Sequence, residues 1–240
     1  MRLANKFMHF YFDSVYNRAY DSTTARLSRY HNLQRICINK LLLDDNDRAL
    51  CIGLGTGNEI FHIQEANRNV SIVGIDYSRH ALKKAEEKAV QLGRDIEVLH
   101  MDAQHMEFTD GSFDKVVCIH VMDFLEHHEL ATKEIMRVLK DGGRFVITYP
   151  SATEGSSLLI GLLKDNYPNK GNSVKLRVQR FFKFASHLLM TLVYLPLCLR
   201  PNRRGYTNDD LSGLFTSVDC RKYQIETEPV YYDHIVYGEK

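Results

Sequence analysis

Residues 50–60 read LCIGLGTGNEI, an apolar run that ends at three glycines spaced two residues apart. An apolar run followed by a glycine-rich turn and a helical pattern is typical of the strand–turn–helix unit with which α/β domains bind ligands. The dinucleotide fingerprint G-x-G-x-x-G places its third glycine one residue later than Gly57 stands here. The turn alone leaves three interpretations open: a cofactor pyrophosphate, the amino-acid end of a sulfonium cofactor, or a tight turn without a ligand.

The surrounding chain alternates apolar runs with helical patterns, which indicates βαβ units on a parallel sheet. Helices are expected from about Asn58, after a cap at Ser78 with an end at Gly93, and over about 130–140. Five strands are predicted, at residues 49–54, 70–76, 96–102, 113–121 and 143–150.

The C-terminal part adds a helix and two strands. Thr207 to Asp210 resembles a capping box, with Asp in place of Glu or Gln, before an apolar helical segment. Residues 217–226 and 231–240 alternate enough to predict two antiparallel strands at a sheet edge.

Two helical segments flank or interrupt this core. An amphipathic pattern over 26–43 predicts that residues 1–47 form a helical cover, with Lys40 on its apolar stripe. Residues 151–205 break the βα alternation and predict a helical insertion, basic in charge, with an apolar stripe at steps of four and three residues. The domains are therefore predicted as cover 1–47, core 48–150 with 206–240, and insertion 151–205.

Composition gives no support to several classes of protein. The chain has 240 residues, 44% hydrophobic and 25% charged, with a formal net charge of +1, which favours neither nucleic acid nor an acidic substrate. The five cysteines are scattered without metal-site spacing, so we expect buried reduced thiols and no metal. We expect no signal peptide and no membrane span, and hence a cytoplasmic protein.

Two acidic residues follow the strands beside the glycine turn. Asp76 ends the second predicted strand, where a carboxylate can accept hydrogen bonds from both hydroxyls of a ribose. Asp102 ends the third, where a carboxylate can accept one from the amine of an adenine. Since open α/β sheets bind ligands at the carboxyl ends of their strands, the glycines and both acids predict an adenosine-containing ligand.

These motifs resemble those of class I S-adenosylmethionine-dependent methyltransferases of the quinone or small-molecule type. The resemblance is carried by CIGLGTGNEI, VGIDYS, HMDAQHMEF, FDKVVCIHV and EIMRVLKDGGRFVITYP, and it covers about residues 48–150 and 206–238. It implies an α/β, Rossmann-like sheet of seven strands in the order 3-2-1-4-5-7-6, with strand 7 antiparallel and helices on both faces.

The resemblance also implies the site and its cofactor, S-adenosyl-L-methionine, which is converted to S-adenosyl-L-homocysteine. Gly53, Gly55 and Gly57 would face the methionyl moiety, Asp76 would hold the ribose, and Tyr77 would pack on the adenine. Asp102 and the Ala103 backbone would bind the adenine amine, and His120 would lie beside the methyl donor. Tyr20, next to Asp21, would help to close the site.

The acceptor of the methyl group is less well defined. In-line displacement from a sulfonium requires a base only if the acceptor loses a proton. His120 is the best candidate for this base, and Tyr20 and Tyr149 can orient an acceptor hydroxyl. His127 and His128 are expected in a solvated loop or at a helix start.

Several functions stay open. We expect a small, apolar acceptor under the insertion, or peripheral membrane contact through residues 174–204; RNA docking by the same basic segment is less favoured. A dehydrogenase and a non-catalytic, methyltransferase-like scaffold remain alternatives.

Overall fold

The computed structural model describes residues 28–152, 205–228 and 233–240. Tyr20, residues 153–204 of the predicted insertion, and Cys198 lie outside the described residues. Within the described ranges, no helix is long and apolar enough to cross a bilayer.

The described chain alternates strands and helices, as expected for a βα protein. The helices are α1 (Ser28–Lys40), α2 (Asn58–Ala66), α3 (Arg79–Gln91), α4 (His128–Val138) and α5 (Asn208–Ser217). The strands are β1 (Arg48–Ile52), β2 (Ser71–Asp76), β3 (Glu97–His100), β4 (Phe113–Cys118), β5 (Leu139–Tyr149), β6 (Lys222–Thr227) and β7 (His234–Glu239). A short 3₁₀ helix, Met122–Phe124, follows β4.

All seven strands form one sheet in the order β3-β2-β1-β4-β5-β7-β6. The first five strands run parallel, and β7 pairs antiparallel with both β5 and β6. This confirms the predicted fold class.

Helices cover both faces of the sheet because the central strands are apolar on both sides. On β1, Leu50 and Ile52 belong to the core shared with α4 and α5. Ala49 and Cys51 alternate with them and belong to the opposite core, which is shared with α1, α2 and α3. This period of two places both faces of β1 away from solvent.

The helix starts follow the predicted caps. The Ser78 hydroxyl accepts a hydrogen bond from the Ala81 N–H at 3.1 Å. At α5 the Thr207 side chain accepts from the Asp210 N–H, and the Asp210 carboxylate accepts from the Thr207 N–H. Both caps satisfy N–H groups that have no partner within their helix.

The predicted boundary between α4 and β5 was wrong. The helix ends at Val138, and β5 begins at Leu139, four residues before Gly143. Leu139 is fully buried and pairs with Phe113, ahead of an irregularity in the ladder. The glycine pair lies within the strand. The Gly142 N–H donates to the Lys240 carbonyl, and the Gly143 carbonyl accepts from the Lys240 N–H, so the backbone pairing continues through these two residues.

Helix α1 packs as an amphipathic cover, with Leu33, Cys37 and Leu41 buried as predicted. Lys40 was expected on the apolar stripe, but its ammonium extends from it. The Lys40 Nζ lies 2.7 Å from a Glu226 carboxylate oxygen and 3.9 Å from the centre of the Tyr237 ring. The charge thus joins α1 to the β6–β7 hairpin.

Candidate cofactor-binding and catalytic site

The glycine turn connects β1 to α2 with three positive φ angles, 65° at Gly53, 56° at Gly55 and 80° at Gly57. A Cβ atom added to Gly53 would overlap Val121 Cγ2, and one added to Gly57 would lie 2.7 Å from Ile60 Cδ1. Close packing and positive φ therefore both favour glycine at the two outer positions. The contact with Gly53 also places the segment after β4 against the turn.

The middle glycine faces open space. A Cβ added to Gly55 would meet no atom closer than 3.9 Å, which is the Gly53 carbonyl oxygen. Positive φ favours glycine here, but packing against the protein does not require it. The space beside Gly55 can receive a ligand.

Asp76 is held at the end of β2 by two backbone groups. Its Oδ2 accepts a hydrogen bond from the Gly55 N–H, and its Oδ1 accepts one from the Ser78 N–H, both at 2.8 Å. Because each carboxylate oxygen can accept more than one hydrogen bond, the group can also receive the two hydroxyls of a ribose. The glycine turn thus fixes the orientation of this carboxylate.

The end of β3 lies next to Asp76. The Met101 N–H donates to the Asp76 carbonyl at 3.2 Å, and the Asp102 Oδ1 accepts from the Gln104 N–H at 2.8 Å. The strand ends at His100, so Asp102 lies two residues beyond it, with the buried Ala103 next in the chain.

Tyr77 presents an aromatic surface at the same edge. The residue is 53% exposed, and its ring centre lies 5.4 Å from that of His100. An exposed ring beside Asp76 and Asp102 can stack on a planar base. His100 therefore packs beside the Tyr77 ring, which is a structural role.

His120 lies two residues beyond β4, which ends at Cys118 rather than at Val121. Its φ is 55°, a conformation that costs a non-glycine residue about 1–3 kcal/mol. Its N–H donates to the Thr148 hydroxyl at 2.7 Å. Strain held in place by a neighbouring strand is common at functional sites.

The His120 imidazole is paired with an acidic residue that the sequence pattern did not indicate. His120 Nδ1 lies 3.1 Å from an Asp233 carboxylate oxygen and 4.0 Å from one of Asp123. Asp233 is only 3% exposed and precedes β7, which runs antiparallel to β5. The start of β7 therefore lies at the edge where β4 ends. The sequence does show an acidic residue, Asp233, directly before β7. Its pairing with His120, however, depends on tertiary structure.

A second buried acid was also missed. Glu59, at the start of α2, is 6% exposed, and its Oε1 accepts a hydrogen bond from the Gln34 side chain at 2.7 Å. Burial raises the pKa of Glu59 to about 7, although Gln34, Lys88 and His120 favour the charged form.

Two polar residues considered in the sequence, Tyr149 as a candidate to orient an acceptor and His128 as a structural residue, both lie in the core. Tyr149 is fully buried, and its hydroxyl is hydrogen bonded to Thr132 at 2.8 Å; burial raises its pKa. His128 was expected in a solvated loop or at a helix start; it is the first residue of α4, but it is buried rather than solvated, at 6% exposed, and its Nδ1 lies 2.7 Å from the Tyr206 hydroxyl. Both side chains point into the α4–β5 core because these positions follow the buried face of that helix and strand.

Four cysteines are free and buried, as predicted: Cys37, Cys51, Cys118 and Cys220. Burial raises the pKa of each of these thiols. In the described part of the chain, no group of three His, Cys, Asp or Glu residues is arranged to hold a metal ion.

Comparison with known proteins shows the family to which the chain belongs. Residues 50–147 match a methyltransferase-domain family. Over 136 residues the chain is 30% identical to YrhH of Bacillus subtilis (strain 168), provisionally named a methyltransferase; the match covers 56% of this chain and 76% of YrhH.

Two further relatives match over shorter stretches. The phosphatidylethanolamine N-methyltransferase of Cereibacter sphaeroides is 33% identical over 42% of this chain and 49% of its own length. The demethylmenaquinone methyltransferase of Thermus thermophilus is 32% identical over 47% of this chain and 52% of its own length. The chain thus spans about half the length of each of these two.

A solved structure has a similar fold. A provisionally assigned S-adenosyl-L-methionine-dependent methyltransferase from Methanococcus maripaludis superposes with a TM-score of 0.65, at 17% identity, over 95% of this chain and 94% of its own. The chain belongs to the S-adenosylmethionine-dependent methyltransferases. The open space at Gly55, the held carboxylate of Asp76 and the exposed Tyr77 ring fit the methyl donor of this family.

Proposed function

We propose that the protein transfers the methyl group of S-adenosylmethionine, by in-line displacement, to a small apolar acceptor. One observation carries this proposal: contacts link the glycine turn, Asp76, the residues after β3 and the His120 segment at one edge of the sheet. The apolar acceptor is supported by two relatives whose names refer to a quinone and a phospholipid.

The residues at this edge bind different parts of the methyl donor in the proposed complex. The backbone around Gly53, Gly55 and Gly57 binds the methionyl end, where N–H groups at the start of α2 suit its carboxylate. Asp76 binds the ribose, and Tyr77 with Asp102 and the Ala103 backbone binds the adenine. His120 lies at the methyl end, and Tyr20 closes the site from the N-terminal segment.

The bound donor supplies a methyl group that the sulfonium charge already activates. The protein must then align the acceptor and exclude water, which can account for most of the acceleration. No residue has to form a covalent intermediate.

The proposal extends to the organisation of the chain. Residues 1–47 act as a cover, 48–150 with 206–240 form the core, and 151–205 form a lid or a surface for peripheral membrane contact through 174–204. Buried free thiols support a cytoplasmic location. Co-sedimentation with anionic liposomes tests the membrane contact, and failure to sediment would exclude it.

An acceptor screen tests the function. The full chain is incubated with methyl-labelled S-adenosylmethionine and a panel of lipophilic phenols, hydroquinones, sterols and phosphatidylethanolamine, with water-soluble catechols and amines for comparison. We expect label in an apolar product and none with Asp76→Ala. Label only in water-soluble products would contradict the apolar acceptor.

A further inference from the structure

The contacts of His120 differ from those of two other described histidines, His128 and His234. His128 Nδ1 faces the Tyr206 hydroxyl and its Nε2 faces the Leu125 carbonyl. His234 Nδ1 faces the Thr227 hydroxyl and its Nε2 faces the Tyr206 carbonyl. In these contacts both rings face neutral groups, and both residues are 6% exposed.

His120, in contrast, faces a buried carboxylate through its Nδ1 atom. Its side chain is 23% exposed, while that of Asp233 is 4% exposed and 3.1 Å from Nδ1. A buried carboxylate accepts a hydrogen bond, so Nδ1 carries the proton and Nε2 is the basic atom of the neutral ring. The same carboxylate stabilises the imidazolium once Nε2 has taken up a proton.

The backbone of His120 is held beside the glycine turn to which the proposed methyl donor would bind. The Thr148 hydroxyl holds the His120 N–H, and the next residue, Val121, packs on Gly53 of the cofactor turn. His120 is thus held by β4, which it follows, by Thr148 on β5 and by the glycine turn. Such restraint suits a group that must meet a reacting atom with defined geometry.

We infer that Asp233 is a positioning residue that holds His120 as the base for an acceptor with a phenolic or enolic hydroxyl. This rests on the proposed function, because it names the substrate class of the same site. A thioether or a neutral amine attacks through its own lone pair without losing a proton in the step and would give the pair no role, whereas a hydroxyl must lose its proton as it attacks.

The step balances without a further reactant. The acceptor oxygen attacks the methyl carbon as its proton passes to Nε2 of His120. The O–C bond forms and the C–S bond breaks, with its electron pair returning to sulfur, so that S-adenosylhomocysteine leaves as a neutral thioether. The imidazolium, paired with Asp233, then gives its proton to water.

The tautomer of His120 tests the pair without any acceptor. In the full chain labelled with ¹⁵N-histidine, long-range ¹H–¹⁵N spectra at a pH that leaves the ring neutral should show His120 protonated on Nδ1; His120→Gln assigns the signal. Asp233→Asn should shift the ring toward the other tautomer. Asp123→Asn is the matched control, because Asp123 lies farther from the same nitrogen, and it should leave the tautomer unchanged.

Two acceptors of different acidity test the base. One is a lipophilic alkylphenol that is neutral near neutral pH, and the other is the matching nitrophenol, which is already ionised. His120→Gln should lower kcat for the alkylphenol by about 100-fold and Asp233→Asn by at least about tenfold. The nitrophenol should lose much less than the alkylphenol in both variants, since it needs no base.

Several results would overturn the inference. A wild-type ring protonated on Nε2, or equal tautomer shifts in Asp123→Asn and Asp233→Asn, would exclude the positioning role. Equal losses on both phenols would exclude the base. A chain that binds S-adenosylmethionine but methylates no phenol or enol would exclude the acceptor class and leave the methyltransferase intact, whereas a folded chain that does not bind it would remove the proposed function itself.

Discussion

At the scale of single residues, substitution of glycine by alanine can distinguish an effect on stability from an effect on ligand binding. Gly55 and Gly93 both have positive φ, 56° and 65°, and neither has a protein atom closer than 3.9 Å to an added Cβ. Gly55→Ala and Gly93→Ala should therefore each cost about 1 kcal/mol of the free energy of unfolding. Only Gly55→Ala should weaken S-adenosylmethionine binding, by about tenfold or more, because its methyl group enters the proposed ligand space.

Chemical denaturation and calorimetric titration of the two variants measure these effects. Equal affinities in Gly55→Ala and Gly93→Ala would mean that the ligand does not approach the middle glycine.

Glu59 makes stability depend on pH in the direction opposite to that of a salt-bridged acid. Burial raises its pKa from 4.5 to about 7 in the folded chain, so the folded state holds the proton more tightly. The contribution of Glu59 to the free energy of unfolding is therefore fully present below about pH 4.5, and it is lost as the pH rises toward 7. Glu59→Gln should remove this loss and be more stable than wild type above pH 7, by up to on the order of 3 kcal/mol.

Denaturation across this pH range measures the effect, with Glu86→Gln, an exposed acid on α3, as the matched control. Indistinguishable pH profiles for Glu59→Gln and wild type would contradict the account of Glu59.

The sequence predicts some of these residues and not others, for a physical reason. Gly53, Asp76 and Asp102 follow apolar runs at fixed offsets, so local pattern places them at strand ends. Asp233 and Glu59 act through partners 113 and 25 residues away in the chain, and no local pattern reports such pairs.

At the scale of secondary-structure elements, the capping box of α5 gives a direct test. Thr207→Ala removes the oxygen that accepts from the Asp210 N–H and should lower the free energy of unfolding by about 1 kcal/mol. Thr216→Ala in the same helix removes only an exposed hydroxyl that donates to the Ser212 carbonyl, and should change it by less than about 0.5 kcal/mol. Thermal and urea unfolding compare the two; equal losses would contradict the cap's contribution.

Element ends were harder to predict than element types. Ser78 and Thr207 were found because a cap is a local hydrogen bond. The start of β5 was misplaced because Leu139 is fixed by its partner Phe113 on β4, and the end of β4 was misplaced because His120 turns into a positive φ held by Thr148. In both places tertiary contacts override the local pattern.

At the scale of the whole molecule, the ends of the segment 153–204 are joined by the described residues beside it. The Ala152 N–H donates to the Tyr206 carbonyl at 2.9 Å, and the Tyr206 N–H donates to the Pro150 carbonyl at 2.8 Å. A Cβ added to Gly205 would lie 2.5 Å from the Ala152 Cα, so the two ends are in contact.

A short glycine–serine linker in place of 153–204 should therefore leave a folded core, because the closure it must make is small. We expect cooperative unfolding and retained S-adenosylmethionine binding, but loss of acceptor methylation if the segment is a lid. Circular dichroism and titration check this, and a linker variant that does not fold would show that the segment belongs to the core.

The sheet order illustrates what resemblance adds to pattern. Alternating runs predict parallel strands, but the position of β7 between β5 and β6 came from the resemblance to a family. That position brings Asp233 to His120, so the candidate base and its partner could be paired only once the fold was known.

The most direct measurement is calorimetric titration of the full chain with S-adenosylmethionine and S-adenosylhomocysteine, with Asp76→Ala and the exposed control Asp95→Ala in parallel. The wild type and Asp95→Ala should bind both ligands. Asp76→Ala should lose about 100-fold or more, because its carboxylate accepts charge-assisted hydrogen bonds from the ribose. No binding by the folded wild type, or equal binding by Asp76→Ala, would contradict the proposed site.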